Sequence, residues 1–253
     1  MKKWYLAGLA LLSTTIVVVP VTAQCEFDSG SDGSDGALNI TQNTEIDLSL
    51  AIDGSWNTPG NGNGIYDAEN WMVVFKYSSV NIASGTTVTF ANHPGGAPVV
   101  WLVQTDAIIG GLVSVRGKGQ NFDEPYTYAE PGPGGFAGGA GDEGTTFPIG
   151  AGFGRGGGLT ETTGDDYAGL YGNDAVFPLI GGSGGVGTTS ASGSAGGGAI
   201  LIAANGTIDV QGGGGHINAQ SGNTSAQGVG AGSGGAIRLV ASVVMGNGLI
   251  LAT

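Results

Sequence analysis

Val99 to Val115 (VVWLVQTDAIIGGLVSV) and Ala236 to Ala252 (AIRLVASVVMGNGLILA) align without a gap at an offset of 137 residues. Ala199 to Val210 (AILIAANGTIDV) follows the same strand–turn–strand plan with a shorter middle, and Val80 to Phe90 is a looser fourth copy. A unit of this kind buries its apolar face only against neighbouring copies. The repeats therefore predict a stacked architecture.

The aligned copies indicate which strand side chains face inward. Two columns are aliphatic in every copy, whereas the column between them contains Arg238. Successive strand side chains alternate between faces, and an unpaired charge is costly to bury, so we predict that the column with Arg238 points outward. The predicted inward columns are Val100, Ile200, Ile237 and Leu102, Ile202, Leu239, and the outward column is Trp101, Leu201, Arg238.

The predicted fold is all-β: a right-handed parallel β-helix, a solenoid, with glycine-rich loops. The three β runs within Val99–Val115 favour a three-sided coil, and Asn205-Gly206 suits a tight corner. The alternative is a β-sandwich or hairpin array, because Asn-Gly between two β runs is also a strong hairpin signal.

The overall composition excludes several classes of protein. The 253 residues include 53 Gly, but 40% are hydrophobic and only 11% are charged, which is the reverse of the pattern of disordered chains. Seven Lys and Arg against twenty Asp and Glu give a net charge of −13, which excludes nucleic acid as a partner. One cysteine excludes an internal disulfide framework and any multi-cysteine metal site.

The N-terminus has the pattern of a secretory signal peptide. Lys2 and Lys3 precede the apolar, uncharged run 4–19, Pro20 ends it, and cleavage is predicted after Ala23. A membrane anchor is the alternative, but the run is short for a span of about 20 residues. We therefore expect a secreted or cell-surface protein with no membrane span after cleavage.

Changes in composition divide the chain into four parts. We predict the signal peptide at 1–23, an acidic flexible spacer at 24–36, an N-terminal β cap region at 37–98, and the solenoid at 99–253 with a long glycine-rich insertion at about 119–198. The glycine motifs of the insertion lack the strand, helix and acidic or lysine partner of a nucleotide-binding loop, so no nucleotide cofactor is expected.

Short apolar and glycine-rich motifs recur through the mature chain: Trp71–Ile82, Asn92–Pro94, Ala97–Val103, Pro131–Phe136, Pro178–Gly185, Gly198–Ala203 and Gly234–Val240. Together they resemble a group of secreted bacterial glycine-rich proteins of the β-helical surface or adhesin type. The resemblance covers the chain from about Gly36 to the end. It implies a fold and an extracellular location and brings no catalytic residue with it.

The main expectation for function is a structural or adhesin-type protein without catalysis. A carbohydrate-active enzyme, either a polysaccharide lyase or a glycoside hydrolase, is the alternative. A hydrolase needs two carboxylates and a lyase needs a base near the substrate. Asp165 and Asp166 are the candidate carboxylates, and Lys118 and Arg155 are the candidate bases.

Two kinds of binding site are also candidates. Calcium takes oxygen ligands, which cluster around glycines between Asp53 and Glu69. Turn-forming Asp and Asn side chains explain the same cluster. The candidate calcium ligands are Asp53, Asn57, Asn61, Asn63, Asp67 and Glu69.

A glycan-binding module is the third possible function, with extracellular polysaccharide or cell-surface glycans as partners. Sugar rings stack on exposed aromatic faces, and the aromatic residues Trp56, Tyr66, Trp71, Tyr77, Trp101, Tyr126 and Tyr128 lie in one half of the chain. The candidate glycan contacts are Trp101, because its column is predicted to face outward, with Tyr126 and Tyr128.

Overall fold

A computed structural model describes residues 27–120, 127–141, 151–158, 176–188, 191–225 and 228–253. Within these ranges the chain forms two β-sheets and a single 3-10 turn at Leu48–Leu50, whose N-cap Asp47 accepts a hydrogen bond from the backbone N–H of Ser49. No helix in the described part is long and apolar enough to cross a membrane.

The larger sheet has nine strands in the order β1-β6-β9-β11-β8-β5-β4-β3, and β13 also pairs with β11. Strands rich in Val and Ile form its middle, because branched side chains pack well on a pleated surface. The nine strands are β1 (Ala37–Ile40), β3 (Ile52–Asp53), β4 (Ile65–Asp67), β5 (Met72–Tyr77), β6 (Ser79–Ile82), β8 (Val99–Val103), β9 (Ala107–Ile109), β11 (Ala199–Val210) and β13 (Ala236–Gly246).

The smaller sheet has five strands in the order β14-β12-β10-β7-β2, and all of its pairings are parallel. Its strands are β2 (Thr44–Asp47), β7 (Thr87–Ala91), β10 (Leu112–Ser114), β12 (His216–Asn218) and β14 (Leu249–Leu251).

One hydrophobic core joins the two sheets. After β5 the chain passes back and forth between the two sheets, and each strand from β6 onward pairs in parallel with an earlier strand of the same sheet. Fully buried Val73, Trp101 and Ile202 of the larger sheet belong to the same cluster as Val88 and Ile217 of the smaller sheet. Burial of this apolar surface is the main favourable term in folding.

The prediction of a right-handed parallel β-helix is wrong. The described strands form two separate, mainly parallel sheets of the kind seen in mixed α/β proteins, with almost no helix, and no closed solenoid is detected among these residues. A solenoid needs a strand on every side of each coil, but the described parts of 119–198 carry only an isolated bridge between Thr188 and Ala191. The β-sandwich or hairpin alternative is also wrong, because β4 and β5 form the one antiparallel pair between named strands in the described ranges.

The predicted outward direction of Trp101 is also wrong. Trp101 pairs with Ile202 and is fully buried, whereas Val100 pairs with Leu201 on the opposite face. The register between β11 and β13 shifts between Ala204 and Thr207, where β11 has one extra residue. A gap-free alignment of Val99–Val115 with Ala236–Ala252 leaves no room for an extra residue, so it places the residues of β8 one position out of register. A one-residue slip moves every side chain of a strand to the opposite face of the sheet.

The described glycine-rich segments pack backbone against backbone. A Cβ on Gly132 would overlap the carbonyl oxygen of Val115, one on Gly138 that of Gly193, and one on Gly196 that of Gly182. Hydrogen bonds run from segment to segment, as in Phe136 N–H to Gly182 O at 2.9 Å. Close-contact glycines recur every third residue, at Gly132, Gly135 and Gly138 and again at Gly181, Gly184 and Gly187. Three residues is the repeat of the polyproline II conformation.

The described part of the predicted flexible spacer, 27–36, packs against the larger sheet. The hydroxyl of Ser29 donates to the carbonyl oxygen of Val103 at 2.9 Å, and that of Ser31 donates to Tyr77 O at 2.8 Å. Phe27 packs on a second apolar cluster on this outer face. These residues therefore form a cover over the sheet rather than a free linker.

Candidate functional site

A cleft of about 690 Å³ opens at one edge of the larger sheet. β3 is the last strand of the sheet and pairs with β4 so that Asp53 lies opposite Tyr66. The chain then turns back and forms β5, antiparallel to β4. The cleft is lined by two segments, the loop 53–57 and the turn 66–70.

The loop on one side of the cleft is tied to the body of the sheet by Asp35. The Oδ1 of Asp35 accepts a hydrogen bond from Gly62 N–H at 2.6 Å, and the Oδ2 of Asp35 accepts one from Lys76 N–H at 2.7 Å. Asn61 and Gly62 both have positive φ in this turn. One carboxylate thus joins the covering segment, the loop between β3 and β4, and β5.

Trp56 stands at the cleft above a buried cation. The residue is 39% exposed, and the Nζ of Lys76 lies 5.3 Å from the centroid of its ring. The Lys76 side chain is only 4% exposed and forms an ion pair with Asp32 at 3.7 Å. Hydrogen bonding from Ser34, together with the Lys76 ammonium, lowers the pKa of Asp32. A desolvated cation over an aromatic face is worth about 2 kcal/mol.

Tyr66 is supported by a second aromatic contact. Its ring stacks on the imidazole of His93, with 3.9 Å between centroids and 29° between planes. The Nδ1 of His93 accepts a hydrogen bond from Gly95 N–H at 3.0 Å, which holds the imidazole in the Asn92–Gly95 turn. Each aromatic ring of the cleft is therefore in contact with another side chain, Trp56 with Lys76 and Tyr66 with His93.

The carboxylates of the cleft differ in their bonding. Asp67 is buried and accepts hydrogen bonds from Glu69 N–H at 3.1 Å, Asn70 N–H at 3.1 Å and Asn70 Nδ2 at 2.8 Å. The carboxylates of Asp53 and Glu69 make no hydrogen bond or ion pair with the described residues. Two free acceptors and one fixed acceptor therefore line the same cleft.

The structure brings together four of the six predicted calcium ligands. Asp53, Asn57, Asp67 and Glu69 line the cleft, whereas Asn61 and Asn63 lie in the 60–64 turn, which is not part of its lining. Asp67 fixes the local turn through its hydrogen bonds. Within the described ranges no group of three or more His, Cys, Asp and Glu residues could hold a metal ion. Calcium binding stays a prediction.

The predicted catalytic residues are not brought together by the described parts of the chain. Lys118 forms an ion pair with Glu130, and Arg155 lies exposed in the 151–158 segment. Asp165 and Asp166 lie outside the described residues. The four residues therefore remain a sequence-based hypothesis.

Of the three predicted glycan contacts, the structure describes Trp101 and Tyr128. Trp101 is buried in the core and has no face open to a sugar. Tyr126 lies outside the described residues. Tyr128 is 58% exposed and packs edge-to-face on Phe153, with 5.0 Å between ring centroids.

Sequence reasoning missed the role of Lys76 and the grouping of Trp56 with Tyr66. Lys76 sits in an otherwise apolar strand (MVVFKY), which gives no sign that its ammonium is buried. A signal for the cleft does exist, because DGSWN and IYDAEN each combine an aromatic ring with acidic and amide side chains. Only the pairing of β3 with β4 shows that the two motifs meet.

A smaller and more apolar cavity of about 320 Å³ lies next to the cleft and shares Glu69 and Asn70 with it. Its wall also includes Trp71, Pro98 and Leu201. The indole N–H of Trp71 donates to Gly95 O at 2.8 Å, which links this cavity to the turn that carries His93.

Comparison of the chain with protein-family models, with curated proteins and with solved structures gives no match.

Proposed function

We propose that this protein is a secreted structural protein of the adhesin type, which makes contacts outside the cell without catalysing a reaction. The observation that carries the proposal is the glycine-rich body, in which neighbouring backbones pack so closely that added Cβ atoms would overlap carbonyl oxygens. Glycine costs conformational entropy, so its repeated use requires a compensating structural demand. Close backbone packing is that demand.

A stiff body suits a contact protein because rigid surfaces lose little conformational entropy when they bind. The cleft is built on the larger sheet: Asp35 joins its loop to β5, and Lys76 of the same strand faces Trp56. A surface role also agrees with the export signal expected at the N-terminus and with the net charge of −13, which favours solubility.

The proposal is tested by locating the protein and measuring its attachment. The full chain with a C-terminal epitope tag would be expressed in a bacterial host, and a matched variant would carry Lys2→Glu and Lys3→Glu. We expect the unchanged chain outside the cell and the variant inside. Protein recovered from the medium should then sediment with intact cells or insoluble polysaccharide. Retention of the unchanged chain in the cytoplasm, or failure to sediment with any surface, would contradict the proposal.

A further inference from the structure

We propose that the cleft between loop 53–57 and turn 66–70 binds a neutral glycan, with sugar rings packed against Trp56 and Tyr66. The inference rests on the proposed surface role, because it names the ligand class through which contact would be made. It assigns the recognition surface to residues other than Trp101, Tyr126 and Tyr128.

The two aromatic rings are already in place for such a ligand. Trp56 packs close to Gly30, where an added Cβ would come 3.6 Å from the ring, and Lys76 lies near the same indole. Tyr66 is held by its stack on His93. The C–H face of a hexose is apolar and packs on an aromatic ring. Rings that are fixed before binding reduce the entropy lost on association.

The acidic side chains of the cleft are acceptors for the hydroxyl donors of a sugar, and Ser55, Asn57 and Asn70 also line it. Asp67 is held by three hydrogen bonds, so its position is set before a ligand arrives. The carboxylates of Asp53 and Glu69 line the same space without a protein partner among the described residues. Hydrogen bonds to ionised acceptors are about twice as strong as neutral ones. A small number of such groups fixes the orientation of a ligand in a pocket.

The charge of the cleft selects against acidic glycans. Asp53, Asp67 and Glu69 line it, and Lys76, the cation closest to Trp56, is already paired with Asp32. A uronate or sulfate would meet like charges there, and the protein as a whole carries −13. A glycan without acidic groups meets no such repulsion.

The size of the site favours an oligosaccharide over a single sugar. The cleft measures about 690 Å³, and the neighbouring cavity of about 320 Å³ continues from it at Glu69 and Asn70. A linear chain is able to lie in the cleft and extend toward the neighbouring cavity, which is lined mainly by apolar residues such as Trp71 and Leu201 and also by Arg238.

Isothermal titration of the secreted chain with cellohexaose, mannohexaose and chitohexaose tests the inference, with hexagalacturonate as the acidic comparison and Ca²⁺ as the cation. Trp56→Ala should weaken binding of the preferred neutral hexamer at least about tenfold, because central aromatic contacts are typical hot spots. Trp56→Phe should restore part of the affinity. Tyr128→Ala is the matched control, since Tyr128 is an exposed aromatic outside the cleft. Circular dichroism of each variant confirms that it is folded.

The outcomes distinguish the proposal of a glycan site in the cleft from the proposal of an adhesin-type role. A lower affinity of Trp56→Ala for the neutral hexamer, with an unchanged affinity of Tyr128→Ala, supports the cleft as the glycan-binding site. Equal affinity of the unchanged chain and folded Trp56→Ala would overturn it, while sedimentation with surfaces would still stand as evidence for the adhesin-type role. Three other results would also overturn the neutral-glycan assignment. They are that none of the neutral hexamers binds, that hexagalacturonate binds more tightly than they do, or that Ca²⁺ binds and no glycan does.

Discussion

The Nζ atom of Lys76 lies 5.3 Å from the centroid of the Trp56 ring, so a cation of the larger sheet supports an aromatic residue of the cleft. The same ammonium is 3.7 Å from Asp32, which belongs to the segment that covers the outer face of the sheet. The stability of the covering segment and the position of Trp56 are thus linked through one buried charge.

Removing the partner of this buried charge should cost stability. Asp32→Asn leaves the Lys76 ammonium without its carboxylate, and we expect the free energy of unfolding to fall by about 1 kcal/mol, since Asp32 itself is half exposed. Urea denaturation measures the change. In a Lys76→Met background the same substitution should have almost no effect. Equal losses in both backgrounds would show that Asp32 acts independently of Lys76.

Two glycine substitutions separate close packing from backbone conformation. Gly132→Ala places a Cβ against the carbonyl oxygen of Val115, so we expect a loss of at least about 3 kcal/mol or failure to fold. Gly85 has φ +79° with open space around it, and Gly85→Ala should cost only about 1 kcal/mol. Thermal unfolding of both variants checks the order, and similar losses would remove the close-packing argument for the glycine-rich body.

Alkaline pH should unfold the protein through Tyr77. Burial, and then the nearby negative charge of Asp35, raise the pKa of this phenol far above its usual value. A group with a raised folded-state pKa contributes stability below its unfolded pKa, about 10 for tyrosine, and this contribution is lost as the pH rises further. We therefore expect the free energy of unfolding to fall above about pH 10.

Absorbance of the phenolate measures this effect directly. Because Tyr77 is buried in the core, it should ionise only as the chain unfolds. Tyr77→Phe should reduce the loss of stability above about pH 10. Ionisation of Tyr77 in a fully folded protein would contradict its place in the core.

The sequence marks three apolar runs, which begin at Val99, Ala199 and Ala236, as copies of one β unit. The copies around Val99, Ala199 and Ala236 do lie side by side as β8, β11 and β13. Register was harder to predict, since the extra residue between Ala204 and Thr207 leaves no mark in a gap-free alignment. That single residue explains why Trp101 was predicted to face outward and is buried.

The sequence repeats alone do not show whether the strands close into a solenoid. Alternating apolar residues identify strands, but glycines that pack against other backbones carry no side-chain pattern. The described glycine segments 132–138 and 181–187 lie next to each other without forming named strands. Their role depends on distances between segments that are far apart in sequence.

The sequence indicated several residues of the cleft but not that they lie together. Asp53, Asp67 and Glu69 stood out as oxygen ligands, which suggested calcium, while Trp56 and Tyr66 were members of a longer set of aromatic residues. The two observations describe one place because β3 pairs with β4. The aromatic rings beside these carboxylates are the reason that we propose a sugar, and not a bare cation, as the ligand.

We propose binding without catalysis, and one reaction mixture tests this role. The secreted chain would be incubated with insoluble neutral polysaccharides, with and without Ca²⁺, and both the sedimented protein and the soluble sugar products would be measured. We predict that protein sediments with the polysaccharide, that Trp56→Ala sediments less, and that no reducing ends or unsaturated sugars appear above the level of a protein-free control. Release of such products by the unchanged chain would contradict the account and identify the protein as a carbohydrate-active enzyme.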